Sequence, residues 1–360
     1  MSRINTYKRK DGRFESRIYA GRDSSGRRKY RSFYGLSAYE AEQKAADALA
    51  LTQSAEITDM TVRELASEWL CVMSARIKLS TAANYRMKTE KHILPEFGEI
   101  QCSSLSGRDI YTFINSRLAA GLSPRYVSDI VVLMRSMFRY AEREYNIRNV
   151  LEGIVMPKKP RTEVRLLSAS EQKRLYQHAL GSGDSTGLAV MLSLTAGLRI
   201  GELCALRWED IDLKKRTLTV RKTVQRIQRF TGGSRTELIV TEPKSESSKR
   251  VIPLPKSIIS TLLKVKGESE CHVISGTSAP TDPRTLQYRF ARLLKNVKLP
   301  SVHFHSLRHA FATNAIAAGF DVKTLSEILG HSSVEITLNR YVHSSFERKR
   351  SCMELIKWSA

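Results

Sequence analysis

The hydrophobic rhythm of the chain changes twice along its length. Over the first fifty or so residues apolar and polar positions alternate in two short runs, Arg13 to Ala20 and Arg27 to Tyr34, separated by Asp23-Ser24-Ser25-Gly26. Alternation is the period of a strand, and turn-forming residues between two such runs predict a hairpin. In the first run Phe14, Ser16, Ile18 and Ala20 fall on one face, and Arg13, Glu15, Arg17 and Tyr19 on the other. That separates an inner face from a mostly basic, aromatic-bearing outer one. Ser37 then caps a predicted helix, running to about Thr52, that covers the apolar face.

From about Asp59 to Val150 the apolar spacing becomes three and four, the helical period. Thr61 and Glu64 form a capping box ahead of Val62, Leu65, Ala66, Trp69, Leu70 and Met73, one apolar stripe. A second helix opens at Ser123 with Pro124 in its first position and buries Val127, Ile130, Val131, Met134, Met137 and Phe138. Gly98, Gly107 and Gly121 mark breaks. Two prolines and three cations make Met156-Pro157-Lys158-Lys159-Pro160-Arg161 a linker suited to lie along phosphates.

Beyond it, Ser168 and Glu171 form another capping box, and a helix rich in Leu188, Val190, Met191, Leu192 and Leu194 stops near Gly197. A short helix through Glu202 and Leu206 follows. Strand-like runs come at Thr217 to Thr223 and Leu238 to Thr241, and helices return from about Thr285. The expected fold class is therefore multidomain, mainly α with small β-sheets (α+β). Its segments are 1–55, 56–155, a linker at 156–162, 163–345, and a tail at 346–360 whose Phe346, Met353, Leu355, Ile356 and Trp358 predict an amphipathic helix.

Charge narrows the function. The 59 Lys plus Arg against 36 Asp plus Glu leave a formal net charge of +23, which calls for a polyanionic partner. Nucleic acid fits better than a membrane, since the sequence has no long apolar span, lipidation signal or single strongly basic amphipathic helix. The polar, basic start MSRINTYKRKDGR is no signal peptide, so a cytoplasmic protein is expected. Cys71, Cys102, Cys204, Cys271 and Cys352 contain no C-x-x-C pair and point to reduced thiols, neither a zinc site nor a disulfide framework.

Three clusters carry the chemistry. In Thr195-Ala-Gly-Leu-Arg199-Ile-Gly-Glu202-Leu, Arg199 sits at the junction of two helices, where a structural pairing with Glu202 competes with binding of an external anion. In His305-Ser-Leu-Arg308-His309 the histidines are four apart, but Ser306 stands where a zincin has glutamate, and anion binding by Arg308 is the better account. In Leu329-Gly-His331 through Arg340-Tyr341, Gly330 ends one helix and Ser332 or Ser333 caps the next, a helix-turn-helix pattern that leaves His331 and Tyr341 unexplained.

Taken together these clusters resemble the boxes of the tyrosine recombinases: T-x-G-L-R-x-G-E-L with Arg199, H-x-L-R-H with His305 and Arg308, and L-G-H followed ten residues later by Tyr341. The stretch Thr241-Glu-Pro-Lys244 to Arg250-Val-Ile-Pro-Leu resembles the family's β-hairpin loop, whose first lysine is catalytic. The amino-terminal pattern resembles the small arm-binding domain of transposon and phage integrases, three strands and a helix. The resemblance implies an arm-type DNA-binding domain, a helical core-binding (SAM-like) domain and a mixed, mainly helical catalytic domain. It also implies a tail that docks on a neighbouring protomer, against the alternative of packing on its own domain.

For site residues it implies Tyr341 as nucleophile, Arg199, Arg308, His305, His331 and Lys244 as catalytic partners, and Glu202 and His309 as supports. The transition state of a phosphodiester gathers charge on its non-bridging oxygens, which suits two guanidinium forks. A phenol with a pKa of about 10 needs nearby cations or a base. The family keeps the 3′ phosphate as an ester of the tyrosine, so no cofactor, ATP or metal is expected. Expected DNA contacts are Arg13, Arg17, Arg27, Lys29, Arg31, Lys158 and Lys159. Expected partners are double-stranded DNA at core and arm sites, three further protomers in a homotetramer on two duplexes, and an accessory excisionase or DNA-bending protein. A non-catalytic DNA-binding regulator and a type IB topoisomerase-like relaxing enzyme are the competing readings.

Overall fold

The computed structural model describes residues 5–22, 28–53, 59–158, 165–229, 236–243, 246–341, 350 and 353–354. The chain divides into two compact units at Pro160/Arg161.

The first unit opens with an antiparallel sheet of β1 (Asn5–Lys8), β2 (Phe14–Arg22) and β3 (Arg28–Gly35), in that order. Ser37 accepts from the Glu40 amide and α1 (Ala38–Gln53) follows, burying Ala41 and Ala45. Among the described side chains, which leave out Ala20, the predicted alternation holds with one exception. Ser16 is wholly buried, but so is Glu15 on the opposite face, where Arg9 (3.2 Å) and Arg17 (2.8 Å) close over it. A carboxylate survives there because two cations pair with it.

The same unit continues as a helical bundle: α2 (Val62–Ser74), α3 (Leu79–Lys88), α4 (Leu94–Phe97), α5 (Gly107–Ala119) and α6 (Pro124–Tyr145). A five-residue π-turn, Thr89–Ile93, joins α3 to α4. The Thr61–Glu64 capping box and the Ser123 cap with Pro124 behind it form as the sequence predicts. The two stripes meet in one core that includes Leu65, Trp69, Val127, Ile130, Met134 and Phe138.

The second unit begins with α7 (Ala169–Ser182) behind the Ser168–Glu171 capping box, α8 (Ser185–Ala196) and α9 (Ile200–Ala205). The run expected as one strand from Thr217 to Thr223 is two. β5 (Thr217–Val220) lies between β4 (Ile211–Asp212) and β8 (Arg250–Pro253), while β6 (Thr223–Gln228) pairs with β7 (Thr236–Thr241) in a separate ribbon. The exposed pair Arg221-Lys222 marks the break. α10 (Lys256–Lys264), an additional helix, precedes α11 (Pro283–Asn296), α12 (His305–Ala317), α13 (Val322–Leu329) and α14 (Val334–Tyr341). The apolar α8 runs through the middle of this core, with Val190, Met191 and Leu192 fully buried. Thus the fold is mainly helical with small sheets, and no helix among the described residues is long and apolar enough to cross a membrane.

Candidate active site

The site is built at the ends of helices, where backbone groups lack partners. α8 stops at Gly197 in the left-handed conformation (φ +64°), and a Cβ there would meet the Phe311 ring at 2.5 Å. Two residues on, Arg199 stands at the N-cap of α9. Its amide donates to Glu202 Oε2 (2.9 Å) and its Nη1 to Glu202 Oε1 (2.7 Å). The carboxylate thus satisfies an orphan amide and orients a guanidinium together.

Glu202 also serves a second arginine. Arg250, at the start of β8, donates Nη1 to Oε1 (3.0 Å) and Nη2 to Oε2 (2.9 Å). Burial pushes the Glu202 carboxyl up, but hydrogen bonding and charge from Arg250 and then Arg199 outweigh it and hold it at about 2. Arg308 lies on α12 and is 1% exposed, with Nη1 on the Gly197 carbonyl (2.8 Å) and Nη2 on that of Leu329 (2.6 Å).

The three arginines share one anchor. Arg250 Nε donates to the Ile328 carbonyl (2.6 Å), Arg308 to that of Leu329, and Arg199 Nη2 to that of Gly330 (3.0 Å). These successive carbonyls are the C-terminal end of α13, the negative pole of its dipole. The chain then turns through Gly330 (φ +63°) into His331, whose Nδ1 lies 2.8 Å from Oγ1 of the buried Thr337 on α14. His305, on the first turn of α12, is exposed, and its ring meets that of His309 edge-on at 4.7 Å.

Arg199, Glu202, His305, Arg308 and His331 line a single cleft of about 420 Å³, with Thr223, Gln225 and Ser248 on its walls. Three guanidinia against one carboxylate leave the cluster two charges positive. Tyr341 is the last residue of α14. Its side chain lies outside the described atoms, as do Lys244 and the tail residues Phe346, Leu355, Ile356 and Trp358. Among the described residues no group of three or more His, Cys, Asp or Glu could hold a metal.

Nothing local in the sequence marks Arg250, because Val251 and Ile252 are equally apolar and do not tell the inner face of the strand from the outer. In β8 burial alternates, so Arg250 is in phase with the buried Ile252 while Val251 between them is exposed. A cation on the inner face of a strand requires an interior acid.

The expected DNA contacts scatter. Arg17 pairs with Glu15 and lies 5.0 Å from the Tyr7 ring, on a face that also exposes Tyr19, Tyr30 and Tyr34. Arg31 stands opposite Ile18 in the register, hence on the other face of the sheet. Arg13 is tied to Asp11 in the turn before β2, and Lys158 is exposed. Arg27 and Lys159, and the side chain of Lys29, lie outside the described atoms.

A family match across the cleft-bearing unit, with relatives aligned over most of the chain, makes this a tyrosine recombinase, an enzyme that cleaves and rejoins DNA strands. The model of the phage integrase family matches residues 165–348, just over half of the chain, and that of the phage integrase N-terminal SAM-like domain matches 61–118. The chain belongs to the phage integrase family. A tyrosine recombinase XerC-like protein of Caldanaerobacter subterraneus is 27% identical and aligned over 94% of each chain. Tyrosine recombinase XerA of Pyrococcus furiosus is 25% identical over 77% of this chain and 90% of its own. In fold, the chain is similar to the Tn1549 transposon integrase in complex with a circular intermediate DNA (24% identical, TM-score 0.67, 82% of this chain and 99% of that one). It is similar also to a lambda integrase bound to a core site (22% identical, TM-score 0.59, 99% and 97%).

Proposed function

We propose that the protein is the integrase of a mobile genetic element, a conjugative transposon or a prophage, and that it inserts and excises that element through a covalent 3′-phosphotyrosine intermediate. The observation that carries the reading is the convergence of Arg199, Arg308, His305 and His331 on one cleft, with the helix that ends at Tyr341 starting three residues after His331.

In this reading the Tyr341 oxygen attacks phosphorus as its proton passes to a histidine. The bond from phosphorus to the 5′ oxygen breaks, and that oxygen takes a proton from Lys244. Arg199 and Arg308 neutralise the non-bridging oxygens meanwhile. The ester conserves the bond energy, and the 5′ hydroxyl of another strand attacks it to restore a phosphodiester. Glu202 supports Arg199, and His309 supports His305.

Residues 1–55 would bind arm sites and 56–155 core sites, with residues 156–162 between them and the catalytic domain. Four protomers would act on two duplexes, the tail of each seated on its neighbour, and an excisionase or DNA-bending protein would set direction. The lambda integrase solved as a tetramer bound to a Holliday junction is a fold relative of this chain (22% identical, TM-score 0.60).

A duplex nicked beside the scissile phosphate, built on the ends of the element that carries the gene, tests the proposal. The native protein should form a covalent adduct, and Tyr341→Phe should form none while its DNA affinity stays within about threefold. No adduct from the native protein would leave a DNA-binding regulator. Relaxation of any supercoiled plasmid without site preference would favour a topoisomerase.

A further inference from the structure

Arg250 ties together three separate parts of the site. From the first position of β8 it reaches both oxygens of Glu202, the carbonyl of Ser248 (3.1 Å) and the carbonyl of Ile328. Its side chain is 6% exposed, against 35% for that of Arg199. Its stem also runs against Gly330, where a Cβ would stand 3.0 Å from Arg250 Cδ, Arg250 Nη1 and the Ser247 carbonyl. Glycine at 330 therefore answers two demands, a positive φ and passage of the Arg250 stem.

The sharing of Glu202 has an electrostatic effect. With Arg250 in place both carboxylate oxygens are shared: Oε1 accepts from Nη1 of each arginine, and Oε2 from Arg250 Nη2 and the Arg199 amide. Without Arg250, Oε2 would keep only the Arg199 amide and could draw Arg199 Nη2 off the Gly330 carbonyl into a two-point pair, the strongest arrangement open to those groups. Such a pair would cancel the charge of Arg199 and swing its fork away from the cleft.

We propose that Arg250 is a positioning residue for strand cleavage: by occupying Glu202 and tying β8 to the carbonyl end of α13, it keeps Arg199 out of a closed ion pair and turned toward the scissile phosphate. The inference rests on the reading of this cleft as the catalytic centre. Arg250 itself is not among the residues that line the cleft, its nitrogens being turned to Glu202, Ser248 and Ile328, so it is not placed to act as a phosphate ligand.

The test is single-turnover cleavage by the full chain of the nicked duplex described above, in two forms. One carries the natural phosphate at the scissile position, and the other a methylphosphonate, which has no ionised non-bridging oxygen and so gathers one negative charge fewer in the transition state. Arg250→Lys retains a cation but cannot bond four acceptors at once. It should slow cleavage of the phosphate about 100-fold, with DNA affinity within about threefold of native, and slow cleavage of the methylphosphonate less than about 10-fold.

Equal slowing on both substrates, as general loosening of the fold would produce, overturns the proposal, and so does an unaltered rate. Should Arg250→Lys fail to fold, Gly330→Ala probes the same joint from the opposite side. It should show the same preference for the methylphosphonate, and equal loss on both substrates again overturns the proposal. The native protein separates the two levels: no adduct from it sinks the assignment of the cleft, whereas a native adduct with an unaffected Arg250→Lys sinks the role of Arg250 alone.

Discussion

Glu202 shows how a single residue can unite the stability and chemistry of this protein. Its carboxyl is held at about 2, well below its ordinary 4.5, although burial alone would raise it. A depressed carboxyl stabilises the fold above its unfolded value and loses that contribution as the pH falls through the folded one. The native protein should therefore shed this share between about pH 4.5 and 2. Glu202→Gln should cost about 3 kcal/mol at neutral pH, since it leaves two arginines short of their acid, and should flatten that acid limb. Urea unfolding followed across the pH range checks both. The pairing of Glu202 with Arg199 was legible in the sequence because the two lie three residues apart. Its pairing with Arg250 was not, because a contact across 48 residues of chain has no local signature.

Elements whose ends are decided locally were the legible ones. Capping boxes at Thr61 and Ser168, the Pro124 start and the Gly197 stop are each written within four residues, and each forms. Among the short strands β5 fell within an expected run but β4 and β8 were not legible, because a two- to four-residue strand exists only through its partners, and β8 joins β5 from thirty residues away. The same local logic gives a prediction for α13, which is eight residues long yet anchors three arginines. Its N-cap is Asp321, whose carboxylate accepts from the Thr324 amide at 2.8 Å. Asp321→Ala should cost about 1 kcal/mol, read as a lowered midpoint in thermal or urea unfolding. Asp321→Asn should recover most of it, because the amide oxygen caps as well.

At the scale of the whole molecule the net charge of +23 sets how DNA binding responds to salt. The logarithm of affinity should fall linearly with the logarithm of salt concentration, with a slope of roughly 0.9 per phosphate neutralised. Removing residues 1–58 should make that slope shallower if the amino-terminal sheet meets phosphates. An unchanged slope would place all the electrostatic work in the remaining chain. The slope should also fall short of the count of cations, because pairs such as Arg9 and Arg17 with Glu15 are already engaged inside the protein. The anchoring of the arginines on α13 has a practical consequence of its own. These cations are braced by carbonyls of the chain itself, so the same mould suits a small tetrahedral oxyanion as well as a phosphodiester. Inorganic phosphate or sulfate should act as a competitive inhibitor, and cleavage should run slower in phosphate buffer than in a zwitterionic buffer of equal ionic strength.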